Sequence, residues 1–244
     1  MKTIDINCDL GEGAKYDQDL MPLISSCNIA CGGHYGDDNS VETAVKLAKA
    51  HDVNIGAHPS YPDVENFGRR SIDISLEDLK THLHQQIDKI EKACNVNNVP
   101  FHHIKPHGAL YNDMRKSQAI TDLILDVVME RDMNLILFVS PSVTYTKDIP
   151  QSIQLWKEGF ADRAYNSDLS LVSRKEKDAV FHDPEFISER VLSMVNHQQL
   201  LTKNDENIHV EFDTICVHSD TQNAVDILKK LRRLLDMNNI KVGV

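Results

Sequence analysis

The sequence predicts an α/β fold, a distorted (β/α)7 TIM-like barrel, and three observations predict it. Short apolar runs alternate with amphipathic helical patterns from one end of the chain to the other. No composition break and no Gly/Pro/Ser linker divides residues 1–244, so the span reads as a single domain. Seven strand-led units fit within it, and repeated strand-then-helix order favours parallel strands joined by right-handed crossovers. Seven such units suggest a closed or nearly closed barrel in preference to an open doubly wound sheet.

The first strand is "TIDINCDL" (3–10), and a second lies within "PLISSCNIACG" (22–32). "VETAVKLAKAHD" (41–52) places Val41, Ala44, Val45, Leu47 and Ala48 on one helical face. "VNIGAHP" (53–59) is the third strand. "SLEDLKTHLHQQIDKIEKACNV" (75–96) opens on a Ser75/Asp78 capping pattern and carries Leu79, Leu83, Ile87 and Ile90 at helical spacing. "HHIKPHG" (102–108) is strand four, followed by a helix over "AITDLILDVVMERD" (119–132). "NLILFVSPS" (134–142) is the clearest buried strand, "IQLWKEGFADRAY" (153–165) supplies the sixth and "TICVHSD" (214–220) the seventh.

Length and charge narrow the function classes. A chain of 244 residues buries a full core. Hydrophobic content of 41% and charged content of 26% are ordinary globular values that argue against long disorder. The net charge of -11 argues against a nucleic-acid partner, and "KKLRR" (229–233) reads as a solvated helix face. Cys8, Cys27, Cys31, Cys94 and Cys216 lack framework spacing, so they read as buried reduced thiols rather than zinc thiolates or disulfides. With no signal peptide pattern and no long apolar run, the expected location is the cytoplasm, without a membrane.

The polar residues collect where the predicted strands end. Asp9 and Glu12 follow strand one, His34 and Asp37 strand two, His58 and Asp63 strand three. Lys105 and His107 lie at strand four, Asp162 and Arg163 at strand six, His218 and Asp220 at strand seven. In a barrel these ends share one mouth, the place where such folds put their active sites. The other eight histidines, including His82 and His84, read as packing or solvated residues.

Such a constellation supports two chemistries. Asp9, His34 and His58 are candidate ligands for a divalent metal that would activate water and polarise an amide carbonyl. Without a metal, an Asp or His acts as general base while Lys105 or a protonated His stabilises the oxyanion. Arg69 and Arg70 in "NFGRRS" suit a bidentate grip on a substrate carboxylate, and a surface salt bridge explains the pair nearly as well. Neither a phosphate-binding GxxxxGK[ST] loop nor GxGxxG nor GxSxG occurs.

Taken together, "DINCDLGEG", "NIACGGHYGDD", "IGAHPSYPD" with "FGRR", "KPHGALYN", "EGFADRAY" and "ICVHSD" resemble the LamB/YcsF family from about residue 3 to residue 240. The resemblance implies a barrel similar to the glycoside hydrolase/deacetylase fold. It also implies a hydrolase role, opening the lactam of 5-oxo-L-proline to L-glutamate with ATP as co-substrate and separate B and C subunits as partners. The matching catalytic positions are Asp9, His34, His58, Lys105 and His107, with Glu12, Asp37, Arg69, Arg70, Asp162, Arg163 and His218 as substrate-binding positions. The pattern departs from the family at Gly33 and Tyr35 beside His34, at Ser60, at Ser219 and over residues 166–180. Two other readings stand beside this one: a stand-alone metal-dependent amide or carbohydrate deacetylase, and a non-catalytic ligand-binding subunit. Self-association into a homo-oligomer is left open.

Overall fold

In the computed structural model, which describes residues 2–243, seven parallel strands close on themselves. Strands β1 (Lys2–Leu10), β2 (Ser26–Ala30), β3 (Asn54–His58), β4 (Phe101–Ile104), β5 (Leu135–Val139) and β6 (Ile153–Phe160) pair in sequence order. After the antiparallel hairpin β7 (Gln199–Leu201) and β8 (Asn207–His209), strand β9 (Thr214–Cys216) pairs with β6 on one side. On the other side it pairs with Asp5–Asn7 of β1, which seals the barrel. A last strand, β10 (Ile240–Val242), lies beside Lys2–Ile4 of β1.

Helices cover the outside. They are α1 (Asp17–Leu20), α2 (Asp38–Ala50), α3 (Leu76–Asn97), α4 (Gly108–Met114), α5 (Gln118–Met129), α6 (Pro184–His197) and α7 (Ala224–Met237). On α2 the residues Val41, Ala44, Val45 and Ala48 are buried, the i, i+3, i+4, i+7 stripe that faces a sheet. Ser75 caps α3 by accepting from Asp78 N, and Asn98 ends that helix in the left-handed region. In α7, Leu231 is the buried member of "KKLRR". Among the described residues no helix is long and apolar enough to cross a membrane. All five cysteines are free and buried.

Two departures from the sequence expectation shape the mouth. Strand six ends at Phe160 rather than at 165. Beyond it Arg163 and Tyr165 bridge antiparallel to Val180 and Leu171, so the extended run continues as a flap instead of a barrel stave. Strand four ends at Ile104, and His107 begins the short helix α4, which the pattern did not suggest.

Strand alternation explains the unusual interior. On β1 the apolar Ile4, Ile6, Cys8 and Leu10 join the core outside the barrel, while Asp5, Asn7 and Asp9 meet polar partners inside it. Neighbouring strands supply Ser26, Asn28, His103, Glu158 and Thr214, all fully buried. Such a filling is stable only if its polar groups find one another, and they largely do. Asp5 accepts from Ser25, Ser26 and Thr214; Asn28 donates to both Asn7 and Asp9 at 2.8 Å; His103 Nε2 donates to Asn28 Oδ1 at 2.8 Å. Gly56 makes room for His103, since a Cβ there would lie 2.1 Å from Nε2.

Candidate active site

At the C-terminal ends of the strands this polar filling opens into a cavity of about 550 Å³. Its floor is a buried ion cluster. Lys105 Nζ donates to Asp9 Oδ1 at 2.8 Å and to Glu158 Oε1 at 2.9 Å, and lies 3.2 Å from Cys216 Sγ. Burial works against the charge on Lys105, but Asp9, Cys216 and Glu158 outweigh it and hold its ammonium well above the ordinary lysine range. Burial likewise works against the Asp9 carboxylate, and His58 and Lys105 outweigh it, keeping Asp9 well below the ordinary range. The floor therefore carries fixed charges of both signs.

Beside the floor three imidazoles pack together. His58 Nδ1 donates to Lys105 O at 2.8 Å, and His107 Nε2 donates to Phe67 O at 3.0 Å. The remaining nitrogens, His58 Nε2 and His107 Nδ1, face each other at 2.9 Å. His34 stacks flat on His107, with centroids 3.7 Å apart, and its Nε2 lies 2.9 Å from Glu12 Oε1. Burial pushes His34 down to about 4 and, with Asp9 nearby, pushes Glu12 up to about 7. The close His34–Glu12 contact is thus a hydrogen bond to a neutral imidazole rather than an ion pair. Burial and the neighbouring His58 and His34 also hold His107 well below the ordinary histidine range.

A second device stands on the opposite wall. His218 Nδ1 donates to Asp162, at 2.9 and 3.1 Å from its two oxygens, and Thr221 donates to the same carboxylate. Asp162 is fully buried. Burial alone would raise it, yet His218 and the two hydrogen bonds bring it down to about 2. The imidazole is thereby fixed with Nδ1 as its donor, while the ring itself lines the cavity. This is the arrangement that orients a histidine for proton transfer.

The structure brings together Asp9, Glu12, His58, Lys105, His107 and His218 around the cavity. Other expected positions need correction. Asp37 lies outside it: the side chain caps α2, accepting from Ser40 N at 2.8 Å, so it serves helix formation. Arg70 is exposed away from the cavity, whereas Arg69 reaches the rim and pairs with Asp220 at 2.7 Å. Asp162 acts from behind His218 instead of lining the cavity. Arg163 does line it, but its guanidinium is spent on the carbonyls of Val172 and Ala179, pinning the flap. His34 is fully buried and braces Glu12 from behind.

The expected metal triad Asp9/His34/His58 is also redrawn. The donors that converge are Glu12, His34, His58 and His107, while Asp9 groups with Cys216 and His218. Glu158 also belongs to the floor, its side chain fully buried against Lys105; in the sequence it is a charge at the end of strand six, just before Gly159. Arg115, Lys116, Arg174 and Lys175, which carry no strand-end signal, make the rim basic in a chain of net charge -11.

Comparison with known proteins identifies the family and the fold. The model of the LamB/YcsF family matches residues 4–244. The chain belongs to the LamB/YcsF family. It is 41% identical over 246 residues to the 5-oxoprolinase A subunit of Staphylococcus aureus (strain bovine RF122 / ET3-1), covering 98% of each chain. The crystal structure of the lactam utilization protein from Thermus thermophilus superposes with a TM-score of 0.90 at 33% identity, covering 100% of this chain and 99% of that one. A deacetylase, T48, shares the fold alone, with a TM-score of 0.51 at 15% identity over 100% of this chain and 87% of its own. The family's barrel is thus the fold described above, deacetylase-like in outline.

Proposed function

We propose that the chain is the A subunit of a 5-oxoprolinase, opening the lactam of 5-oxo-L-proline to L-glutamate with ATP and separate B and C subunits. The observation that carries this reading is the 41% identity to the staphylococcal 5-oxoprolinase A subunit over nearly the whole of both chains.

The cavity supports the reading chemically. Opening a lactam requires water to add to the carbonyl carbon, the C–N bond to break, and the departing nitrogen to gain a proton. In this reading His218, oriented by Asp162, takes the proton from water and returns it to the ring nitrogen. Lys105 on the floor supplies a fixed positive field for the oxygen that gains charge. Because Asp9 and Glu158 hold its charged ammonium in place beforehand, it needs no reorganisation during the reaction.

Amide resonance makes water attack slow, and phosphorylating the carbonyl oxygen activates the carbon: water adds, the C–N bond breaks to leave an acyl phosphate, and a second water releases inorganic phosphate and the free carboxylate. ATP supplies that phosphoryl group, with the B and C subunits assisting the transfer. The basic rim suits the resulting anion as well as the substrate carboxylate, with Arg69 and Arg174, which share Asp220, and Arg115, which pairs with Asp168, exchanging those exposed partners for the ligand. At about 550 Å³ the cavity has the size of a drug-sized pocket, larger than a five-membered lactam alone needs.

The test is glutamate formation from 5-oxo-L-proline, with and without ATP, by the chain alone and with its B and C partners. Glutamate formed only when partners and ATP are both present is the expected result. No glutamate with the partners verified as bound would overturn the assignment.

A further inference from the structure

The histidine cluster contains a conflict that protein atoms alone leave unresolved. A neutral imidazole has one N–H and one lone pair. His58 gives its N–H to the carbonyl of Lys105, and His107 gives its N–H to the carbonyl of Phe67. A carbonyl only accepts, so both tautomers are fixed. His58 Nε2 and His107 Nδ1 then confront each other as two lone pairs at 2.9 Å. Glu12 Oε1 adds a third acceptor, 3.4 Å from His107 Nδ1 and 3.9 Å from His58 Nε2. Three mutually facing acceptors on a cavity wall call for a cation between them.

We propose that His58 Nε2, His107 Nδ1 and the Glu12 carboxylate form a binding site for one first-row divalent metal ion of the zinc type, with His34 bracing Glu12 from behind. Two imidazoles and a carboxylate are a donor set that zinc accepts, leaving a further coordination position open. Tetrahedral ligands at about 2.0–2.1 Å from zinc lie roughly 3.3 Å from one another. The observed separations of 2.9, 3.4 and 3.9 Å bracket that value.

His34 is the less suitable ligand although it is near. Its ring is parallel to that of His107 within 4°, so its nitrogens run alongside those of His107 instead of converging on the same point. Its contact with Glu12 is the outer hydrogen bond that commonly orients a metal-binding carboxylate. Asp9 Oδ1 accepts from both Lys105 and Asn28, and its Oδ2 lies 3.4 Å from His58 Nε2, but its donor atoms converge with Cys216 and His218 rather than with Glu12 and His107. Glu12, His58 and His107 all line the cavity, whereas His34 does not. A bound ion of this type acts as a Lewis acid toward a carbonyl or phosphoryl oxygen.

The competing occupant is a proton. Protonating either ring would satisfy the His58–His107 contact by itself and would create no metal affinity. The two are separated by titrating the chelator-stripped full chain with Co²⁺ at neutral pH, followed by displacement with Zn²⁺. Stoichiometry is read by elemental analysis, coordination by visible Co²⁺ absorption, and coupling to folding by thermal shift. One ion per chain is expected, with a visible Co²⁺ band that Zn²⁺ removes and a higher melting temperature.

Affinity is expected to fall at least tenfold in Glu12→Gln and in His107→Ala. His84→Ala, on the outer helix α3, is expected to bind as the wild type does. Glu12→Gln keeps the side chain's shape, so it stays informative if His107→Ala fails to fold. A wild-type chain that takes up no stoichiometric ion, or whose affinity is unchanged in Glu12→Gln and His107→Ala, overturns the proposal. The inference goes beyond the ring-opening reading and does not rest on it: the titration uses no lactam, ATP or partner, so each can fail without the other.

Discussion

Replacing Asp162 by Asn tests the His218 wall in two independent ways. The carboxylate sits at about 2 in the folded chain against an ordinary value of 3.8. At roughly 1.4 kcal/mol per unit, that depression corresponds to about 2 kcal/mol of stability. Because the folded value is the lower one, the contribution is fully present above about pH 4 and is lost as pH falls toward about 2. Asp162→Asn removes it at every pH. Urea unfolding followed by Trp156, the chain's single tryptophan, half-buried and stacked on Phe138, reports both proteins. The wild type is expected to exceed the variant by about 2 kcal/mol at pH 6, with the gap closing on acidification. Turnover is expected to drop on the order of 10²–10⁴-fold, because an amide neither fixes the Nδ1–H tautomer of His218 nor balances its charge. A gap that stays constant from pH 6 to pH 3, together with near-normal turnover, would refute the reasoning.

Three further substitutions probe the rest of the molecule. Lys105→Met leaves Asp9 and Glu158 buried without their counter-charge, and is expected to destabilise by about 3–5 kcal/mol; a melting temperature equal to the wild type's would contradict the ion-cluster description. Gly56→Ala drives a methyl into the His103 ring, so the expected outcome is a markedly lower melting temperature or insoluble protein, and a well-folded variant of wild-type stability would count against the interior packing. Asp37→Ala should lower the melting temperature through the lost α2 cap while leaving turnover unchanged; a large activity loss at full stability would return Asp37 to the active site.

The barrel was legible because period and punctuation agree. "TIDINCDL" alternates apolar and polar residues, and the structure sends the two sets to opposite faces. What the alternation did not disclose was that the polar face lines the barrel rather than meeting water. That follows only from closure, which brings Thr214 beside Asp5. Around the cavity, the strand-end pattern anticipated the positions of Asp9, His58, Lys105 and His218, since each sits within the last residues of a stave or within two residues beyond it. Positions on loops fared worse, as a loop's path depends on contacts distant in sequence. Asp37 and His34 share one loop three residues apart, yet one caps a helix in solvent and the other is buried beneath Glu12. The Asp37/Ser40 capping box was in the sequence as a helix-start signal, and reading it as such would have separated the two. Nothing local distinguishes Arg69 from Arg70; the turn at Phe67 and Gly68, both with positive φ, selects which one reaches the rim.

The seam between β1 and β9 joins residues 5–7 to residues 214–216. During synthesis at about 5–20 residues per second, the first stave waits roughly 10–40 s for its second neighbour to leave the ribosome. Through that interval one edge of β1 is an open template, with Asp5, Asn7 and Asp9 exposed where their final partners are still missing. Those carboxylates and amides make the waiting edge hydrophilic, the property by which natural sheets discourage pairing with stray strands. In the finished barrel the same polar residues turn inward, Asp9 to the floor of the cavity and Asp5 and Asn7 to the filling beneath it.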